Sequence, residues 1–381
     1  MERGILTTVR PHGRRRHPGR RNVLFFGTYD ARTYPRVRVL QEGFAALGDE
    51  VLECNVPLGL DTSMRVRMLR QPWLVPLLAV RIAVAWARLW RRSRRLPEID
   101  LVVVGYMGHF DVHLARFLWP DVPVALDHLI SAGDTAVDRR VSSGVVVRLL
   151  RRLDDAALRA ADLPCVDTPE HLELVTDAAH GRAVVVPVGA PAAWFREPVP
   201  HTGCLRVVFF GSFTPLQGAP MIGHAIASLR ARDGIRFTMI GRGQDYEATR
   251  LAAGDGNAEW IEWVEPELLP ALIAEHDVCL GIFGTGPKAL RVVPNKVFQG
   301  AAAGTAVVTS DTEPQRGAFD DAAVFVRPGD GDELARALVA LANDPARVAH
   351  LRAAAYARAN ERFRPEAVIA PLYQRLEPIA A

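Results

Sequence analysis

Cysteine is scarce in this chain and never paired at short range: Cys54, Cys165, Cys204 and Cys279 stand far apart, with no Cys-x-x-Cys among them. That spacing excludes a Cys-x-x-Cys metal or redox motif and leaves buried, reduced thiols as the expectation. A dominant charge is also missing, since 46 Lys and Arg face 43 Asp and Glu for a net +3. No acidic cluster stands at metal-ligand spacing, so no metal is expected. A long uninterrupted apolar run is absent too. The longest such stretch, 73–90, holds Arg81 near its middle and Arg88 near its end, which argues against a bilayer span. The first 21 residues carry seven arginines, Arg3, Arg10, Arg14, Arg15, Arg16, Arg20 and Arg21, without an apolar signal-peptide core. Export is therefore not expected, and cytoplasmic residence is. No aromatic and basic platform accompanies that arm, which makes nucleic acid an unpromising partner.

What is present suits a globular protein: 49% hydrophobic and 23% charged residues over 381 positions, more than one hydrophobic core usually holds. The reading is a basic arm over 1–21, a first α/β domain over 22–190, a linker over 191–204, a second α/β domain over 205–360, and a last helical segment, 361–381, crossing back to the first domain. A near repeat carries it. Asn22-Val-Leu-Phe-Phe-Gly-Thr28 is matched 184 residues later by Arg206-Val-Val-Phe-Phe-Gly-Ser212, each a short apolar run ending in Gly, as expected of a buried parallel strand that feeds a phosphate-sized loop.

Strand-like runs at 51–54, 101–105, 122–127, 163–167 and 184–188 alternate with helical patterns at 36–47, 76–92, 112–118, 145–161 and 170–178. The second half repeats the rhythm, with strands at 207–211, 237–241, 261–264, 278–282, 306–309 and 323–326 and helices at 220–232, 267–276, 294–303, 332–341, 346–357 and 365–376. Two doubly wound sheets follow, their carboxyl-end loops facing one cleft. The segment 187–202, with four prolines, reads as the connection. Asp154 and Asp155, within a helical pattern, read as solvated.

The most informative stretch is 284–304. A small-residue loop leads past Lys288 and Arg291 to Pro294, a good first-turn residue, and a helix that Gly304 ends. A helix N-terminus attracts phosphate through unpaired N–H groups and the macrodipole, and Lys288, Arg291 and Lys296 add charge there. Asn295 and Gln299, four apart, share a face toward a ligand's hydroxyls. The competing reading is three solvated cations around an ordinary loop. In the helix at 76–92, Arg81, Arg88, Arg92 and Arg95 stack on one side with Trp73, Trp86 and Trp90 beside them. That pattern suits either an ordinary domain helix or one lying on an anionic membrane.

Three segments of the second half, Gly211-Ser-Phe-Thr-Pro-Leu-Gln-Gly218, Met239-Ile-Gly-Arg-Gly243 and Arg291-Val-Val-Pro-Asn-Lys-Val-Phe-Gln299, resemble glycosyltransferase family 4, a group of retaining GT-B enzymes. In the first half, Gly105-Tyr-Met-Gly-His-Phe-Asp111 and the stretch 127–135 resemble a bacterial branch of it. The resemblance implies a nucleotide diphosphate sugar as donor, no cofactor and no metal, an acceptor held by the first domain, and reaction with retention, the leaving phosphate oxygen taking the acceptor proton. The basic, tryptophan-bearing helix at 76–92 suggests in addition a saccharide or lipid-linked acceptor near an anionic membrane, with peripheral contact to that membrane.

The chain departs from the family where Arg and Lys usually hold the diphosphate, having Ser212 and Gln217, and where two glutamates usually stand, having Arg291 and Gln299. The expectation is that Lys288, Arg291 and Lys296 have taken over the charge. Gly27 with Thr28, Gly211 and Gly241 let phosphate or backbone approach closely, and the backbone around Val264 flanks the base. His109 and Asp127, at the ends of two strands, are the candidate catalytic residues, with His128 the alternative to Asp127. A binding protein that has lost catalysis and an epimerase on the same scaffold are the rival readings.

Overall fold

The computed structural model describes residues 20–30, 35–59, 75–129, 131–138, 144–200 and 203–376. Nearly all of the basic arm and part of the linker lie outside them. The first half carries β1 (Asn22–Gly27), α1 (Pro35–Ala46), β2 (Glu50–Asn55), α2 (Val75–Ser93), β3 (Leu101–Val104), α3 (Asp111–Leu118), β4 (Val124–Asp127), α4 (Ala132–Asp138), α5 (Gly144–Ala160), β5 (Leu163–Val166), α6 (Pro169–Leu172), α7 (Asp177–His180) and β6 (Val184–Val185). Its six strands are all parallel, in the order β2-β1-β3-β4-β5-β6.

The second half carries β7 (Leu205–Phe210), α8 (Ala219–Ser228), β8 (Ile235–Ile240), α9 (Tyr246–Ala253), β9 (Ala258–Ile261), α10 (Leu269–Ala274), β10 (Val278–Leu280), α11 (Asn295–Ala302), β11 (Ala306–Ser310), α12 (Glu313–Phe319), β12 (Ala323–Val326), α13 (Gly331–Ala342), α14 (Pro345–Arg362) and α15 (Pro365–Leu376). This sheet is also parallel, in the order β9-β8-β7-β10-β11-β12. In both sheets the order reverses beside the first strand, and that reversal opens a crevice at the strands' carboxyl ends.

The strands form where the sequence is apolar on both faces. Val23 to Phe26 and Val207 to Phe210 are buried throughout because helices cover each side of each sheet. Helix starts follow local chemistry: Thr168 accepts the His171 N–H ahead of Pro169, and Asp330 and Asp344 do the same for Glu333 and Arg347. The third strand of the second half ends at Ile261 rather than beginning there. Ile261 pairs with Ile240, while Trp263, within the expected strand, stands 70% exposed. The helix expected over 170–178 is broken into α6 and α7, with extended backbone at Thr176. The short helices α9 and α12 were not foreseen.

The connecting segment is no loose tether. Val188, Ala190 and Trp194 are buried against Val297, Ala301 and Phe363, and Trp194 stacks on Phe210 at 5.6 Å between centroids. Helix α15 packs on α1, where Val368, Ile369, Leu372 and Leu376 share a core with Val37, Leu40 and Phe44.

That contact depends on Gly43. A Cβ there would sit 2.5 Å from the Pro365 carbonyl oxygen and 2.8 Å from Ile369 Cγ2. Gly43→Ala is expected to lower stability in urea unfolding by about 1–3 kcal/mol. Gly317→Ala, in helix α12 with open space around it, is expected to be neutral or slightly stabilising.

Candidate functional site

The loops after β7 and β8 cross with their backbones in contact. A Cβ on Gly241 would run into the Gly211 carbonyl oxygen, and one on Gly243 into that of Ser212. Gly241 has φ +113°, in the region only glycine enters freely. Farther along the first loop, Gly218 abuts the backbone of Phe283 and Gly284, and the Phe283 N–H donates to the Gln217 carbonyl at 2.9 Å. The carboxyl ends of β7, β8 and β10 are thereby drawn into one small area.

Into that area points Lys296, from the first turn of α11. Its ammonium is buried, lies 3.6 Å from the centroid of the Phe209 ring, and has no hydrogen-bond partner. The position a Cβ would take on Gly211 is 2.9 Å from Lys296 Nζ and 2.8 Å from Gln217 Nε2. A cation and an amide donor thus converge on bare backbone, beside the N-terminus of an eight-residue helix. Burial pulls Lys296 down from the usual lysine range to about 7. An anion here would supply the partner that the ammonium lacks. Gln299, buried, and Asn295, half-buried, lie on the same helix; Ser212 is exposed, and Val264 is half-buried at the mouth of β9.

Lys288 and Arg291 do not join this group as expected. The Lys288 ammonium donates to Thr135 Oγ1 at 2.9 Å, and Arg291 Nη2 lies 3.5 Å from Asp134 Oδ2, so both reach across to α4 of the first half. Thr168 Oγ1 donates to the Arg291 carbonyl at 3.0 Å. Between the halves these residues leave a cavity of about 260 Å³, bounded by Asp134, Pro215, Thr285, Lys288 and Arg291. The reason is reach: Lys288 and Arg291 precede Pro294 on the cleft side, whereas Lys296 is carried under β7 by the helix.

On the first-half wall, two expectations are corrected. Gly27 does not offer open backbone, because Asp111 already occupies its loop: the Thr28 N–H and hydroxyl both donate to Asp111 Oδ2 at 2.7 Å, and Trp86 Nε1 donates to Oδ1 at 2.9 Å. Burial nonetheless pushes Asp111 up, against those donors. Asp127 does not open onto the cleft. It is buried against Arg36, whose Nε donates to Oδ1 at 2.6 Å while Nη1 donates to the Pro187 carbonyl.

His109, His128 and Asp154 come together instead, all buried. Asp154, read from sequence as solvated, accepts from the Ala132 and Gly133 N–H groups and from Ser131 Oγ. Burial works against its ionisation, but His109 and those donors outweigh it and hold Asp154 below its ordinary value. Burial, reinforced by His109, pushes His128 down to about 3. Sequence spacing revealed none of this, because the three residues belong to the β3–α3 loop, the end of β4 and the middle of α5.

With the geometry established, comparison with known proteins adds the following. Residues 223–374 match the family model described as "Glycosyl transferase-like". No curated protein matches the sequence. Among solved structures, sucrose-phosphate synthase from Thermosynechococcus elongatus is 16% identical, with a TM-score of 0.69 over 95% of this chain and 100% of that one. HepE of Anabaena, solved with UDP-glucose, is 15% identical, with a TM-score of 0.66 over 94% of this chain and 99% of that one. The trehalose-phosphate synthase of Burkholderia vietnamiensis is 16% identical, with a TM-score of 0.59 over 84% and 79%. The fold is GT-B: two Rossmann-like halves around a cleft.

The buried Arg36–Asp127 pair makes its own prediction. Arg36→Met strands a buried carboxylate and is expected to cost about 3–5 kcal/mol in urea unfolding. The double variant Arg36→Met/Asp127→Leu is expected to regain most of that loss.

Proposed function

We propose that this chain is a retaining glycosyltransferase of the hexosyltransferase type, moving a sugar from a nucleotide diphosphate donor to an acceptor hydroxyl. The convergence of Lys296 Nζ and Gln217 Nε2 on Gly211, beside the N-terminus of α11, carries the proposal. As the bond from the sugar to the diphosphate breaks, charge accumulates on the leaving oxygens. A desolvated ammonium, an amide and a helix terminus stabilise that charge without reorganising.

In this reading Lys296, Gln217 and the backbone of Gly211 and Ser212 hold the diphosphate, with Gly241 closing the loop beneath. Asn295 and Gln299 take the ribose hydroxyls, and the backbone at Val264 flanks the base. Lys288 and Arg291 turn from α4 to the sugar side when donor fills the cleft. His109 and His128 stand on the acceptor wall of the first half, and the acceptor's proton passes to the leaving phosphate oxygen. The match of residues 223–374 supports transferase chemistry, and HepE's complex with UDP-glucose supports a nucleotide sugar as donor.

The proposed acceptor is a lipid-linked or cell-envelope saccharide, met at an anionic membrane surface. No helix among the described residues is long and apolar enough to cross a membrane. Helix α2 instead buries Ala85 and Leu89 and leaves Leu77, Val80 and Val84 exposed, with Arg81 and Arg88 on the same stripe. In liposome flotation, recovery with anionic vesicles is expected to exceed that with neutral ones, and Val80→Asp/Val84→Asp to abolish the difference; equal recovery would count against membrane contact.

Calorimetric titration with UDP, GDP and dTDP tests the donor site. One of them is expected to bind, and Lys296→Met to weaken it about 10- to 100-fold, the worth of a charge-assisted hydrogen bond. Because Lys296 titrates near 7 and only its ammonium pairs with diphosphate, affinity is expected to fall as pH rises above 7. A sugar nucleotide, whose diphosphate does not titrate there, is the ligand for that series, and Lys296→Met is expected to show no such fall. Selective binding without transfer or donor hydrolysis would favour the reading of a GT-B protein that binds nucleotide sugar but has lost catalysis.

A further inference from the structure

We propose that His109, His128 and Asp154 form a binding site for a zinc-class divalent ion. One ring nitrogen from each histidine and a carboxylate oxygen of Asp154 lie within 4.8 Å of one another, and all three residues are buried. His109 Nε2 stands 2.9 Å from Asp154 Oδ1, and His128 Nε2 stands 3.9 Å from the same oxygen. Ligands about 2 Å from one tetrahedral ion are separated by roughly 3.3 Å, a value between these two.

Orientation argues the same way. Although His109 Nε2 lies 2.9 Å from Asp154 Oδ1, the angle between them falls outside that of a hydrogen bond. Two atoms in contact that do not point at each other are what a shared third atom leaves behind. The two rings lie edge to face, 5.2 Å between centroids, which keeps both imidazoles beside the Asp154 carboxylate.

The surroundings suit a ligand set. Asp154 is held by the Ala132 and Gly133 N–H groups and by Ser131 Oγ, so its carboxylate is fixed from behind as metal-bound carboxylates usually are. Two imidazoles and one carboxylate are a donor set that zinc accepts, with a fourth position left for water or a ligand oxygen. The ion would tie the β3–α3 loop, the end of β4 and α5 to the start of α4, the helix whose Asp134 and Thr135 meet Arg291 and Lys288. This inference does not depend on the donor reading, because the readout is bound metal.

The test loads the full-length protein with zinc after chelator treatment, removes free metal by desalting, and measures retained zinc by mass spectrometry. Cobalt(II) absorption reports the coordination geometry. About one zinc per chain, a tetrahedral cobalt spectrum and a higher Tm with zinc than with chelator are expected. His109→Gln and His128→Gln, which leave Asp154 in place to hold α4, are each expected to cut retention more than about tenfold. Wild-type protein that retains no zinc, or variants that retain as much as wild type, would overturn the proposal.

Discussion

The second half is organised around a place where two backbones touch. The loops after β7 and β8 cross with no room for a side chain at Gly241 or Gly243, and the loop's end at Gly218 rests on the backbone after β10. Three strand ends are therefore closer together than side chains would allow. Two polar groups meet at Gly211, the Gln217 amide and the Lys296 ammonium that α11 delivers. A buried cation over an aromatic face without a hydrogen-bond partner is costly to keep, and burial duly drags its titration to about 7. An anionic ligand is the partner that would relieve the cost.

The first half follows the same topology at its own switch point but closes it. Asp111 takes the Thr28 donors that an anion would otherwise use, and a Cβ on Gly105 would strike the Tyr29 ring. Two near-identical sequence segments thus end in opposite outcomes, one crevice filled by the chain's own carboxylate and the other left electropositive. The halves are then held in register by groups that reach across, Thr168 to Arg291, Lys288 to Thr135 and Arg291 to Asp134, and by α15 returning onto α1.

Much of this architecture was legible in the residues. Apolar runs such as Val-Leu-Phe-Phe and Val-Val-Phe-Phe mark parallel strands because both faces are buried, and α15 was bounded at 365–376 because Pro365 and its apolar spacing announce it. The local chemistry of 284–304 pointed to α11 and to Lys296 for the same reason. Where the reading slipped, as over 261–264 or at Thr176, a short-range pattern was compatible with two conformations, and packing chose between them.

The sequence by itself determined most of the strands and helices, that they alternate, and that a cationic helix start follows a glycine loop, since these depend on neighbours a few residues away. Tertiary structure decided which cation meets Gly211, why Asp127 serves Arg36 rather than the cleft, and that His109, His128 and Asp154 share one buried space. Those outcomes depend on groups brought from distant parts of the chain, and on the cost of leaving a buried charge unpaired, neither of which has a signature in local sequence.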